Sequence, residues 1–308
     1  MEICWINGEV IPARQARVNV LDHGLLYGDG VFEGLRFRHG RVFRLDTVLR
    51  RLSRSAAAIG LTLPMSLDQM KQAVDELIDA YAVSAGFNHG YIRLVVTRGV
   101  GKLGIDPASC QESGIFMIAG ELSMVSKEVR EQGATLITAS TRKPGPGGLD
   151  PRIKSLNYLT NIMARMEAAA AGAEEAVMLN QAGYVAEGTA ENIFIARAGA
   201  LFTPPPEDGA LEGVTRGAVM EVANALGIKA FERRLAPYDL YTAEEIFLTG
   251  TGAGLVPVRR IDGREIAKPV PGPIFRAVSE AFGELVNRET MAEAERRGSK
   301  ATATAADL

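Results

Sequence analysis

Lys154 stands in the run D-P-R-I-K-S-L-N-Y-L-T-N, residues 150–161. Asp150 and Pro151 break the preceding structure and Ser155 opens a helical pattern, so Lys154 is expected at the mouth of a helix, beside apolar Ile153. Poor hydration and the positive end of the helix dipole both favour an uncharged amine there. An uncharged lysine amine is a nucleophile toward aldehydes, with which it forms a Schiff base. The bland alternative, a solvated lysine at a helix start, is the commoner one, so the surrounding residues must decide.

Five further features bear on that choice. Glu187 lies in Y-V-A-E-G-T-A-E-N-I-F. A carboxylate there could keep a pyridine nitrogen protonated, or be a surface acid beside a turn glycine. Gly213-Val214-Thr215-Arg216 begins a helix after a loop; exposed helix-start amides bind phosphate, although Thr215 could equally be a plain cap. Thr249-Gly250-Thr251-Gly252-Ala253-Gly254 is a second such turn, after a strand, with hydroxyls and amides suited to a phosphate or a carboxylate. Arg51 lies in L-R-R-L-S-R-S-A, where one of three arginines could turn inward as a phosphate fork. Tyr158 follows Lys154 by four positions and on a helix shares its face, within reach of a phenolic oxygen or packed in the core. An amine, an acid for a ring nitrogen, a phosphate cradle and a partner for a phenolic oxygen are together what pyridoxal phosphate asks of a protein.

The elements that must position these groups follow from pattern. The chain has 308 residues, long enough for two domains, and a hydrophobic fraction of 47% that supplies a core. A net charge of -3 argues against a nucleic-acid surface, and no apolar run reaches membrane-spanning length. The N-terminus shows no secretion signal, and Cys4 and Cys110 lack any metal-ligand spacing, so reduced thiols, a cytoplasmic location and no metal are expected. Strands are expected at 2–6, 91–97 and 115–119, with Asn7-Gly8 and His39-Gly40 as hairpin turns. Helices are expected from an Asp46 cap to Ile59 and over Leu67–Ala82. The second half reads as strands 134–139, 176–180, 192–196 and 246–249, with helices 156–171, 215–226 and 274–286. The mixture predicts an α+β fold: a smaller α/β domain at 1–120, an interdomain loop at 121–133, a larger domain at 134–288 carrying the lysine, and a flexible tail at 289–308.

Six segments in this order resemble the fold-type IV pyridoxal-phosphate enzymes: D-H-G-L-L-Y-G-D-G-V-F-E-G-L-R, Y-I-R-L-V-V-T-R-G, K-S-L-N-Y, E-G-T-A-E-N-I-F, G-V-T-R and T-G-T-G-A-G-L-V-P-V. The resemblance runs from W-I-N-G-E at residue 5 to about Phe282. It implies that Lys154 is the Schiff-base lysine and proton shuttle and that Glu187 meets the pyridine nitrogen. It also implies that Arg51, the Val214 and Thr215 amides and Thr251 hold the phosphate, and that Tyr158 faces the phenolic oxygen. A homodimer is implied too, or a higher oligomer such as a hexamer.

Within that family the chain is most similar to the branched-chain aminotransferases, through Tyr91-Ile92-Arg93, the Y-G-x-x-V-F-E-G-x-R pattern and the Leu103-Gly104-Ile105 turn. This implies amino-group transfer between Leu, Ile or Val and 2-oxoglutarate. Tyr27, Phe32 and Tyr91 would wall an aliphatic pocket. Arg93, supported by Arg36, would meet the distal carboxylate of glutamate, and the Gly252 and Ala253 amides the α-carboxylate. Two departures stand out. Residues 120–133 hold no aromatic, leaving Met124 as a filler, and G-A-G at 252–254 replaces the common A-A-E, which is expected to loosen that loop. The alternatives are a D-amino-acid or (R)-amine aminotransferase or an aminodeoxychorismate lyase of the same fold, a Ser155/Lys154 hydrolase, and a non-catalytic cofactor binder. Thr97-Arg98-Gly99 resembles a D-specific carboxylate element, although Val100 stands where that branch continues toward a histidine.

Overall fold

The computed structural model describes residues 2–266 and 269–306, with side chains as far as residue 297. It divides into two compact units: Met1–Leu122 with Lys154–Leu156 and Glu284–Leu308, and Ser123–Ile153 with Asn157–Gly283. Both combine sheets with flanking helices, the α+β class the patterning predicts. Among the described residues no helix is long and apolar enough to cross a membrane.

The first unit contains β1 (Ile3–Ile6), β2 (Glu9–Pro12), α1 (His23–Tyr27), β3 (Gly30–Arg38), β4 (Arg41–Val42), α2 (Leu45–Ala58), α3 (Leu67–Ala85), β5 (Gly90–Thr97) and β6 (Gly114–Gly120). Its sheet runs β2-β1-β6-β5-β3-β4, antiparallel throughout. Asn7 (φ 53°) and Gly8 (φ 84°) supply the two left-handed residues that close the first hairpin. Alternation assigns the strand faces: Val31, Glu33, Leu35 and Phe37 share one face with Ile92, Leu94 and Val96, all buried. Leu49 and Leu52 of α2 and Leu77 and Ile78 of α3 are buried as well, with α2 packed on β3 and α3 on β1 and β6. Asp46 does not cap α2. Arg44, in the left-handed region at φ 55°, takes that place, and Asp46 lies in the first turn, where its charge complements the helix dipole.

The second unit contains α4 (Lys127–Gln132), β7 (Ala134–Thr138), α5 (Leu159–Ala170), β8 (Glu175–Leu179), β9 (Val185–Glu187), β10 (Asn192–Arg197), β11 (Ala200–Thr203), α6 (Val214–Ala225), β12 (Ala230–Glu232), α7 (Pro237–Tyr241), β13 (Glu245–Gly250), β14 (Gly254–Ile261), β15 (Arg264–Glu265) and the start of α8 (Pro273–Ala306). The sheet runs β12-β11-β10-β13-β14-β7-β8-β9, with β15 paired to β14. Its pairs β11–β12, β14–β7 and β7–β8 are parallel. One core cluster includes Leu136, Val177, Ile193, Leu248, Val256 and Ile261.

Three sequence expectations change. The 121–133 segment is not all loop: Ser126 accepts from the Val129 amide and starts α4. The expected tail from residue 289 continues α8 instead, where Thr290 is buried and Arg44 and Asp79 pair with Glu289 and Arg297; residues 307 and 308 lie outside the described ones. The unit change falls at Glu284, and Lys154–Leu156 belong with the first unit.

Candidate active site

Lys154 is not at a helix start. The Phe32 amide donates to the Lys154 carbonyl at 2.9 Å and the Leu156 amide to the Gly30 carbonyl at 2.9 Å, with Val31 and Ser155 bridged antiparallel. Residues 154–156 therefore extend along the free edge of β3, and α5 begins only at Leu159, with Tyr158 as its N-cap. Edge pairing wins because the β3 edge beside Gly30–Phe32 offers unpaired backbone groups that a helix at 154–156 would leave unmet. Two inferences drawn from a helix fall with it: the dipole effect on the Lys154 amine, and the shared helical face of Lys154 and Tyr158.

Strand alternation supplies the orientation instead. Phe32, Gly34 and Arg36 lie on one face of β3, and their cross-strand partners Arg93 (opposite Gly34) and Tyr91 (opposite Arg36) share it. The bridge between Val31 and Ser155 puts Lys154 on the Phe32 side and Ser155 on the other. The contacts agree: Lys154 Nζ lies 4.5 Å, and the Arg93 guanidinium carbon 3.5 Å, from the Phe32 ring centroid. Gly34 must be glycine, because a Cβ there would overlap the Tyr91 hydroxyl. The structure thus brings Phe32, Arg36, Tyr91, Arg93 and Lys154 onto one face of one sheet. Arg36 is exposed on it and Phe32 is buried.

Two predicted residues of this unit have protein partners of their own. Arg51 forks onto Glu33 through Nε (2.8 Å) and Nη2 (2.7 Å), on the opposite strand face from Phe32. The Tyr27 hydroxyl accepts from the Gly104 amide at 2.8 Å, so it anchors the Leu103-Gly104-Ile105 turn. Arg98, the D-specific candidate, is taken up by a fork onto Asp29 and by the Ile59 and Gly60 carbonyls at the end of α2.

In the second unit, buried Glu187 ends β9. Lys143 Nζ donates to its Oε1 at 2.7 Å; the Leu211 amide (2.9 Å) and Asn192 Nδ2 (3.2 Å) donate to Oε2. Lys143 and Asn192 were not singled out in the sequence; a lysine in a proline- and glycine-rich loop reads as solvated, and only the fold reveals a partner 44 positions away. Met124 is exposed in this unit. Helix α6 starts from Gly213 with no side-chain cap on its first amides, Val214 and Thr215 among them. A Cβ on Gly213 would overlap the Asn192 carboxamide, so glycine is required where the loop meets β10. Thr251, Gly252 and Ala253 form the β13–β14 hairpin loop, and Gly254 closes it at φ 72°. Glycine at 254 therefore serves the tight turn rather than loosening it. The Ala253 methyl belongs to the core, which leaves that residue only its backbone for a ligand. Buried Thr249 Oγ1 beside this loop has no hydrogen-bond partner among the described residues.

Each unit carries groups that fit pyridoxal phosphate: the first a lysine amine against an aromatic ring, the second a buried carboxylate braced by three donors, a helix start preceded by a glycine whose Cβ would overlap Asn192, and a buried hydroxyl without a partner among the described residues. Among the described residues no cluster of His, Cys, Asp and Glu could hold a metal ion.

The chain belongs to the class IV amino-transferase family, whose model matches residues 30–261, and with it to the pyridoxal-phosphate-dependent aminotransferases. Among its relatives, a protein of Methanocaldococcus jannaschii, provisionally named a branched-chain-amino-acid aminotransferase, is 42% identical over 281 residues, covering 91% of this chain and 95% of its own. The crystal structure of the Escherichia coli branched-chain amino acid aminotransferase superposes with a TM-score of 0.86 at 31% identity, over 92% of this chain and 94% of the other. The T.th. branched-chain amino acid aminotransferase complexed with N-(5'-phosphopyridoxyl)-L-glutamate superposes with a TM-score of 0.83 at 33% identity, over 94% and 96%.

Proposed function

We propose that the protein transfers the amino group of L-leucine, L-isoleucine or L-valine to 2-oxoglutarate, giving the branched 2-oxo acid and L-glutamate. The observation that carries this reading is the single sheet face on which Lys154 and Arg93 flank the Phe32 ring beside Tyr91. Similarity to the E. coli and T.th. enzymes, the second crystallised with a phosphopyridoxyl-glutamate adduct, supports it.

Pyridoxal phosphate, when bound, supplies the electron sink that makes a substrate Cα–H acidic. Lys154 Nζ would hold the cofactor and, once freed, would carry the proton removed from the substrate α-carbon. Glu187 would meet the ring nitrogen, and Lys143, Asn192 and the Leu211 amide keep its carboxylate from turning away. The Val214 and Thr215 amides and Thr251 would hold the phosphate, with Arg51, oriented by Glu33, as a further phosphate ligand carried over from the family resemblance. Tyr158 takes the phenolic oxygen. Phe32 and Tyr91 offer apolar surface to an aliphatic side chain, at about 25 cal/mol per Å2. Arg93 offers a charge to the second carboxylate of glutamate. Tyr27 holds the 103–105 turn, and the Gly252 and Ala253 amides face the α-carboxylate.

The competing chemistries lose ground. Ser155 and Lys154 lie on opposite strand faces, which is no geometry for a nucleophile and its base. Arg98 is committed to Asp29, which argues against the D-amino-acid branch. A homodimer is proposed as well: α5 exposes Leu159, Ile162, Met163 and Met166 at helical spacing.

The decisive experiment is borohydride reduction of the holoenzyme followed by tryptic mapping. The pyridoxyl mass is expected on the peptide containing Lys154, and Lys154→Ala should lose both that label and nearly all transfer from L-leucine to 2-oxoglutarate. A label elsewhere, or wild-type turnover in the variant, would refute the assignment. Faster transfer from D-alanine than from L-leucine would overturn the substrate.

A further inference from the structure

The motif E-G-T-A-E-N carries a second acid, Glu191, to which the reaction above gives no task. It is buried, as is Glu175 on β8. The two side chains close on each other around Gly188, which puts their carboxyl groups within reach of a hydrogen bond. Two ionised carboxylates are acceptors only, so a hydrogen bond between them requires one proton.

We propose that Glu191 is a positioning residue: it shares a proton with Glu175 in a buried carboxyl–carboxylate bridge that fixes both the 187–191 turn and the Gly250 end of the 251–253 loop for the cofactor.

The donors around the pair say which side carries the proton. Glu175 Oε1 accepts from the Ala176 amide (2.7 Å) and the Thr189 amide (3.0 Å), whereas Glu191 Oε2 accepts only from the Ala190 amide, at 3.2 Å. The richer acceptor site is Glu175, so Glu191 is the acid and donates. Through Thr189 the bridge grips the turn that begins at Glu187, and Asn161 Nδ2 of α5 holds the same turn by the Thr189 carbonyl at 2.6 Å. The stem of Glu191 lies beside the start of the other loop: a Cβ placed on Gly250 would come within 3.2 Å of Glu191 Cγ. Gly188 is wedged between the two acids, 3.4 Å from Glu191 Oε2 and 3.7 Å from Glu175 Cγ by the same measure. One side chain thus braces the segment bearing Glu187 and the segment bearing Thr251, Gly252 and Ala253.

The charges facing Glu191 are both anionic, Glu175 from β8 and Glu187 from β9, and Lys143 is already paired with Glu187. The neighbours from α5 and β13 are the neutral Asn161 and Gly250. Burial first, then Glu175, pushes the Glu191 carboxyl up to about 8. Above that pH the bridge loses its proton, two anions face each other, and the turn and the loop lose their common brace.

The role rests on the cofactor reading above, so two separate readouts are needed. The first is the melting temperature of the apoprotein against pH. A carboxyl raised in the fold holds a proton that the unfolded chain has released, so stability falls as pH rises from about 4.5 to about 8. Glu191→Gln, a neutral donor of the same shape, is expected to flatten that fall, and Glu175→Gln to change it too. The second readout is the cofactor dissociation constant. If only the protonated form is competent, wild type should weaken about tenfold between pH 7 and pH 9 relative to Glu191→Gln. Glu191→Ala should bind cofactor more weakly at pH 7, and Glu191→Gln should restore that affinity. Parallel pH curves for wild type and Glu191→Gln would overturn the shared proton. A lowered melting temperature in Glu191→Ala with unchanged cofactor affinity would overturn the positioning role. Failure of Lys154 to carry cofactor would strike the proposed function and leave the apoprotein result standing.

Discussion

In the proposed reaction Arg93 is the side chain that would let one pocket serve two substrates. Stacked 3.5 Å from the Phe32 centroid, its guanidinium is held by cation–π attraction, worth about 0.5–2 kcal/mol, and not by a carboxylate that would neutralise it. An aliphatic substrate can lie on aromatic surface near it, while an acidic one gains a charge-assisted hydrogen bond of about 1.5–3 kcal/mol. Arg93→Leu is therefore expected to raise the KM for 2-oxoglutarate about 10- to 100-fold and to leave the L-leucine half-reaction within a few-fold, as single-turnover kinetics with each substrate alone would show. Equal losses in both half-reactions would remove Arg93 from substrate selection. Arg93 is readable in the sequence through the family resemblance that Tyr91-Ile92-Arg93 carries; strand alternation adds only that Tyr91 and Arg93 share a face, which could equally look to solvent. It leaves Glu33 and Lys143 unread, since each matters through a partner far along the chain: Arg51 lies 18 positions from Glu33, and Glu187 44 from Lys143. No local pattern carries such a pairing.

Element boundaries separate what pattern can reveal from what packing decides. Helix α3 is legible from its ends: Ser66 and Gln69 form a reciprocal capping box and Gly86 closes the helix in the left-handed region. Helix α5 is not, because the apolar spacing of I-K-S-L-N-Y-L extends upstream of the helix while the β3 edge claims residues 154–156. Glycine requirements are geometric at this scale. Gly213→Ala would push a methyl into Asn192, and with it the loop preceding α6; about 1–3 kcal/mol of stability should be lost, along with cofactor affinity. Chemical denaturation and cofactor titration would check both, and a variant with wild-type affinity would exclude the α6 start as the phosphate site.

The loop leading toward Lys154 has its own restraint. Glu167 of α5 accepts from Thr141 Oγ1 and from the Ser140 and Thr141 amides, at 2.5, 2.6 and 3.0 Å, and these bonds, the Thr141 hydroxyl first, lower its carboxyl to about 2. A depressed carboxyl stabilises the fold above its ordinary value, near 4.5, and that contribution disappears as pH falls toward 2. Glu167→Gln should melt lower at pH 7 and lose less on acidification to pH 3 than wild type. Identical acid slopes for the two proteins would show that the carboxylate does not hold this loop.

At the scale of the molecule, α5 presents two opposed faces. Asn161, Ala164 and Ala168 are buried, and small residues let the helix sit close on β8. On the other side Leu159, Ile162, Met163 and Met166 are 69, 52, 51 and 65% exposed, a stripe at i, i+3, i+4 and i+7. Such a stripe costs solubility unless something covers it, and methionine suits a surface that must adapt to a partner. A second copy of the chain is the partner that fits the proposed dimer, since a two-fold interface sets the same patch of each subunit against its counterpart. The stripe begins one residue after Tyr158, so ordering of the cofactor segment and association should be linked. Ile162→Glu combined with Met166→Glu is accordingly expected to lower the mass measured by light scattering to that of one chain, with secondary structure retained by circular dichroism and cofactor affinity reduced. A double variant that keeps the wild-type mass would place the subunit contact on another face. One that dissociates but binds cofactor as before would separate assembly from the site.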